Sequence, residues 1–206
     1  MITIVTHLYP RHYVHEEMFA LSLAYNKSVA EKLGWSFFAD SLRRVPKMSF
    51  FRERPAILVE AVSSMQDGDR VLWVDGDALI VGKNTAAIFD NLGAADVGAT
   101  KISGCWHTGV LAISVNPNTR ELLTLMRDHV HSKDEASQEN WTAHQCEGCT
   151  IPVGQRGPLC GSSKVNLIEL SRKWNDEEVH DDTEIVGFHG TFAVKKLQKI
   201  KTICLG

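Results

Sequence analysis

Val71-Leu72-Trp73-Val74-Asp75-Gly76-Asp77 is the stretch on which the fold turns. Its four consecutive apolar residues, entered from the turn-forming Asp67-Gly68-Asp69, read as a strand covered on both faces. Two carboxylates then stand at the carboxyl end of that strand, where open α/β sheets hold their ligands. Acids one residue apart can converge on a divalent cation, and a hard ion such as Mn²⁺ or Mg²⁺ also takes phosphate oxygens. A tight Asp-Gly turn would use the same three residues, so position carries the reading and composition does not. Asp67-Gly68-Asp69 has the same composition but precedes the strand; it belongs at the opposite edge of the sheet and reads as a plain turn.

Working outward, Ile2 to Thr6 is a β-branched run with strand character, and Met18, Leu21, Tyr25, Val29 and Leu33 follow at helical spacing, closed by Gly34. Ser36-Phe37-Phe38 reads as a second strand. Arg54 to Met65 reads as a second helix, with Pro55 in its first turn and Leu58, Ala61, Val62 and Met65 on one face. The order before the central strand is therefore strand, helix, strand, helix, which predicts a mostly parallel, Rossmann-like sheet flanked by helices. Later strands are predicted over 97–100, 110–114, 165–170 and 185–188. Asn116-Pro117 has the cap-then-proline signature of a helix carrying Leu122, Leu123, Met126 and Val130. The stretch 132–163 is polar, rich in Gly and Cys and without period, so it reads as irregular or lid-like.

A chain of 206 residues with 44% hydrophobic and 23% charged residues has the size and composition of a single α/β domain. A net charge of −3 gives none of the basic field that non-specific nucleic-acid or anionic-membrane binding needs. Met1 to Thr6 is too short an apolar run for a signal peptide, and no run approaches the roughly 20 apolar residues of a membrane span. The expectation is a cytoplasmic protein with no transmembrane segment. Five cysteines are an odd number, which argues against a complete disulfide framework. Cys146 and Cys149 have Cys-x-x-Cys spacing and Cys160 follows, a set that fits unligated or redox-sensitive thiols first and a structural Zn²⁺ site second.

The central stretch through Ile80 resembles the Asp-x-Asp segment of retaining GT-A glycosyltransferases, and is most similar to the α-galactosyl, α-mannosyl and xylosyl transferase family, with glycogenin-like enzymes more distant. Other segments resemble the family's in the same order. Arg54-Pro55-Ala56-Ile57-Leu58 is similar to its Lys-containing helix, His107-Thr108-Gly109-Val110 to its Asn-Thr-Gly segment, and Ser137-Gln138-Glu139 to its Glu-Gln or Asp-Gln segment. Lys173-Trp174-Asn175 and Phe188-His189-Gly190 with Lys195 complete the series.

The resemblance implies one GT-A domain over 1–206, with a nucleotide-binding half to about residue 100 and an acceptor half beyond it. It implies a nucleoside diphosphate sugar donor, UDP-linked, and an acceptor that the sequence does not name. A divalent ion would be held by Asp75, Asp77 and His189. Thr6 would meet the base or ribose, while Arg54, Gly76, His107, Gly190 and Lys195 would line the donor, with Lys195 and Arg54 offsetting phosphate charge. Gln138 and Glu139 would lie beneath the donor sugar, and Glu139 reads equally well as a helix N-terminal acid. His107 stands where the family has Asn, and Arg54 keeps the positive charge of the family's Lys. Two other readings stay open: a nucleotidyltransferase acting on a sugar phosphate, and an interaction module stabilised by zinc at the cysteines.

Overall fold

The computed structural model describes residues 1–7, 13–40, 50–102, 105–132, 165–176, 178–188 and 193–205. Its elements are β1 (Ile2–His7), α1 (Tyr13–Leu33), β2 (Ser36–Asp40), α2 (Phe50–Ser63), β3 (Arg70–Val74), β4 (Ala78–Ile80), α3 (Ala87–Leu92), β5 (Val97–Ile102), β6 (Cys105–Ser114), α4 (Pro117–Ser132), β7 (Leu167–Leu170), β8 (Ile185–Gly187) and α5 (Ala193–Leu205). A single 3-10 turn, Arg172–Trp174, lies between β7 and β8.

Six strands form one sheet in the order β2-β1-β3-β6-β5-β7. β1 is parallel to both β2 and β3, β6 is antiparallel to β3 and β5, and β7 is parallel to β5. Five strands thus share one direction and β6 alone runs against them, which is the mostly parallel α/β sheet that the alternation implied. The early strands and helices fall where the periodicity put them, and Gly34 ends α1 in the left-handed region at φ 68°.

The apolar run of β3 is continuous because both faces are covered. Val71 and Trp73 join Ile57, Leu58, Val62, Leu122 and Met126 of α2 and α4 on one side. Leu72 and Val74 meet Ala30, Ile88, Phe89 and Trp174 on the other. This alternation is the period of two of a pleated strand, applied to a strand with no wet side.

Two features depart from the sequence reading. α2 begins at Phe50, so Pro55 lies inside the helix and not in its first turn. A proline forfeits one interior hydrogen bond, and here the helix is kept by burial of Ile57, Leu58, Ala61 and Val62 against the sheet. Ala78-Leu79-Ile80, which carried no strand signal of its own, pairs antiparallel with β8 as a separate two-stranded sheet, Ala78 opposite Gly187 and Ile80 opposite Ile185. Leu79 and Val186 pack with Met18, Phe19, Phe188 and Ile200, so this small sheet is held between α1 and α5.

Candidate active site

β3 stops at Val74 where it borders the reversed strand β6, and the ladder continues one residue further through the Asp75 N–H, which donates to the Gly109 carbonyl at 2.8 Å. That bond fixes the backbone of the Asp-Gly-Asp turn against β6. Gly76 is required by close approach: a Cβ there would lie 2.4 Å from the His7 carbonyl oxygen and 2.7 Å from a Phe19 ring carbon. Asp75-Gly76-Asp77 is therefore wedged between the end of β1, the middle of β6 and the side of α1. Asp67-Gly68-Asp69 sits at the other end of β3, where Asp69 accepts from the chain's amino terminus at 2.7 Å.

The two acids differ sharply in surroundings. Asp75 is buried at 8% exposure. Its Oδ1 accepts from the Trp73 indole N–H at 2.9 Å and its Oδ2 from the Arg54 guanidinium at 3.1 Å. Trp73 and Asp75 are two residues apart and so project to the same side, which lets the indole satisfy its one polar atom on the neighbouring carboxylate. Asp77 is partly exposed, and its Oδ2 accepts from the Lys196 ammonium of α5 at 2.5 Å.

Arg54 is the organising cation. It is 2% exposed, and besides Asp75 it donates to the Thr108 carbonyl at 3.0 Å and the Thr108 hydroxyl at 2.7 Å, with its guanidinium 5.4 Å from the centre of the Trp73 ring. The Thr108 carbonyl is free to accept because β5 and β6 slip register between Ala99 and Thr100: Ala99 faces Leu111 while Thr100 faces His107. A bulge beside a site re-aims local groups in this way. Burial pulls the Arg54 guanidinium below its usual value, against the pull of Asp75 and Asp77. Burial also raises the Asp75 carboxyl to about 6; Arg54 opposes that rise, the charge of Asp77 adds to it, and the Trp73 hydrogen bond and Lys196 oppose it.

His107 borders the same cluster. Its Nδ1 accepts from the Gly109 N–H at 3.2 Å and meets the Asn175 side-chain amide at 2.7 Å. A backbone N–H can only donate, so Nδ1 is the acceptor and the ring proton of the neutral imidazole lies on Nε2. Asn175 is itself held by the Thr100 hydroxyl at 3.2 Å. Burial, then the positive charge of Arg54, lowers His107 to about 4, with Asp77 acting the other way. The unfolded chain therefore binds a proton near pH 6.5 that the folded chain refuses until about pH 4. The stability that His107 contributes is present above pH 6.5 and lost as pH falls through that window. Urea midpoints measured from pH 7 to pH 4 are expected to fall less steeply in His107→Asn than in the wild type; parallel curves would contradict this assignment.

Among the residues singled out from the sequence, Asp75, Gly76, Asp77, Arg54 and His107 come together. Thr6 is buried at the end of β1, and its hydroxyl has no hydrogen-bond partner among the described residues. Lys195 is exposed, and the neighbouring Lys196 reaches Asp77. His189, Gly190, Gln138, Glu139, Cys146, Cys149 and Cys160 lie outside the described residues. Trp73, Thr108 and Lys196 were missed as site residues. Lys196 was readable: it shares i, i+4 and i+7 spacing with Ile200 and Ile203, which α5 turns toward α1 and β8. Among the described residues no helix is long and apolar enough to cross a membrane, and no group of three His, Cys, Asp or Glu side chains converges as a ready metal site.

The sheet order, the reversed strand beside β3 and the acidic turn at their junction define the GT-A type of glycosyltransferase fold. No family model matches the chain, and no curated protein matches it in sequence. Among solved structures, a glycosyltransferase involved in the glycosylation of the major capsid of PBCV-1 is similar with a TM-score of 0.71, over 98% of this chain and 99% of its own, at 15% identity. GlyE of Streptococcus pneumoniae TIGR4, also a glycosyltransferase, gives 0.57 over 99% of this chain and 60% of its own, at 13% identity. At these identities the likeness is one of fold.

Proposed function

We propose that this protein is a metal-dependent glycosyltransferase that moves a sugar from a UDP-linked donor to an acceptor with retention of anomeric configuration. The observation that carries the reading is the placement of Asp75 and Asp77 at the carboxyl end of β3, at the point where the sheet reverses direction into β6.

The residues present fit a divalent ion. The turn gathers two carboxylates, and the protein already balances them with two cations, Arg54 at Asp75 and Lys196 at Asp77. Asp75 and Asp77 would hold the ion with His189 as third ligand. Support for His189 comes from pairing: Ala78 faces Gly187, and His189 is two residues further along the chain. An ion held by these residues would supply electrostatic stabilisation of the departing diphosphate.

The protein's own contribution is positioning and charge. Arg54 keeps Asp75 ionised and aimed, and the guanidinium adds positive potential behind the turn. His107 presents a neutral Nε2–H beside the acidic pair, a donor suited to a sugar hydroxyl. Thr6, at the carboxyl end of β1, is assigned to the base or ribose. Gln138 and Glu139 are assigned to the face beneath the donor sugar, where Glu139 would support positive charge at the anomeric carbon, and Lys195 and Gly190 to the diphosphate side.

Nucleotide sugars screened by thermal shift with and without Mn²⁺ test the donor assignment, because a ligand bound to the folded state alone raises the melting temperature by mass action. A UDP-sugar is expected to raise it only when Mn²⁺ is present. NMR of the product is expected to show the donor's anomeric configuration retained, and an inverted product would overturn that part of the reading. A shift with no nucleotide sugar under either condition would overturn the donor assignment.

A further inference from the structure

The Lys196 ammonium lies 2.5 Å from Asp77 Oδ2, with the two side chains 17% and 20% exposed. The contact is set by the helix: α5 buries Leu197, Ile200 and Ile203 against the cluster of Met18, Phe19, Leu79 and Phe188, and Lys196 leads that stripe. Lys195 is turned to solvent. Leu79 and Phe188 flank the acidic turn, so the packing that seats α5 also seats the ammonium on Asp77.

An ammonium and a divalent ion cannot both sit on one carboxylate oxygen at that distance, and each repels the other when both are near. We propose that Lys196 is a built-in counter-ion of Asp77 that competes with the metal, and that a nucleoside diphosphate relieves the competition by giving the ammonium a phosphate oxygen to move to. This rests on the donor reading above. Metal alone would have to displace a salt bridge within a partly buried site. Metal arriving with a diphosphate displaces nothing at a loss, since the ammonium exchanges one anionic oxygen for another. The two ligands therefore help one another, and by linkage each raises the other's affinity by the same factor. The coupling makes the loaded site form when donor is present and keeps the acidic pair neutralised when it is absent.

The test is calorimetric titration of the full chain with Mn²⁺ alone, with UDP alone and with both, in wild type, Lys196→Met and Lys196→Arg. Lys196→Met is expected to bind Mn²⁺ alone about tenfold more tightly than wild type, because one opposing charge is gone. It is also expected to lose most of the gain that UDP gives to Mn²⁺ binding. Lys196→Arg should keep the wild-type pattern. Unchanged or weaker Mn²⁺ binding in a folded Lys196→Met, with wild type still binding Mn²⁺ and UDP together, would overturn this inference and leave the donor reading standing. A wild-type chain that binds neither Mn²⁺ nor Mn²⁺ with UDP would overturn both.

Discussion

Asp77→Asn is expected to lower the affinity for Mn²⁺ with UDP by at least about a hundredfold while leaving the fold intact. The carboxylate is partly exposed, and among the described residues it pairs with Lys196. Asparagine has the same size and keeps an oxygen that can accept from the Lys196 ammonium, so the exchange costs the fold little. Loss of one of two anionic ligands from a hard-cation site costs far more, because the cation then keeps a water in place of a charge. Calorimetric titration with a urea melt of the same sample checks both halves. Asp69→Asn, in the turn at the other end of β3, should leave metal binding unchanged; an equal loss in both variants would remove the acidic turn from the site.

Arg54→Met is expected to destabilise the protein by about 3–5 kcal/mol, the usual cost of stranding one partner of a buried ion pair. Arg54 is 2% exposed and Asp75 8%, and the guanidinium also satisfies the Thr108 carbonyl and hydroxyl. Removing it leaves a buried carboxylate with the Trp73 indole N–H as its remaining donor among these groups. Arg54→Met combined with Asp75→Asn should recover part of the loss, since the uncompensated charge goes with the second change. Urea unfolding of the single and double variants measures it. A loss below about 1 kcal/mol in Arg54→Met would mean that the pair is solvated in solution and that Arg54 is not the anchor of the site.

These two expectations separate what was legible in the sequence from what was not. The carboxyl end of β3 could be read because an apolar run bounded by turn residues identifies a doubly covered strand, and the next residues must then lie at the sheet's binding edge. The same reasoning correctly separated Asp75 and Asp77 from Asp67 and Asp69. It could not reveal that Asp75 is buried and Asp77 is not, because that depends on a side chain from α2 crossing beneath the turn. Arg54 meets Thr108 only because β5 and β6 slip register between Ala99 and Thr100, and no local pattern announces a bulge. The contact of Lys196 with Asp77 was open to the same kind of reading, because Lys196 leads the helical stripe through Ile200 and Ile203 and side-chain direction on a helix is set by its period. Ala78 to Ile80 was too short to announce a strand, and its pairing with β8 is a long-range contact that local propensity does not encode.

The central claim is that the acidic turn serves transfer of a sugar from a nucleoside diphosphate donor. Incubating the wild-type chain and Asp77→Asn with UDP-sugars and Mn²⁺, and following phosphorus by NMR, tests it most directly. The account predicts UDP as the phosphorus product, formed by wild type with Mn²⁺ and not by Asp77→Asn or after chelation. Release of pyrophosphate from a nucleoside triphosphate and a sugar phosphate, with no UDP formed from any UDP-sugar, would contradict it and make the protein a nucleotidyltransferase.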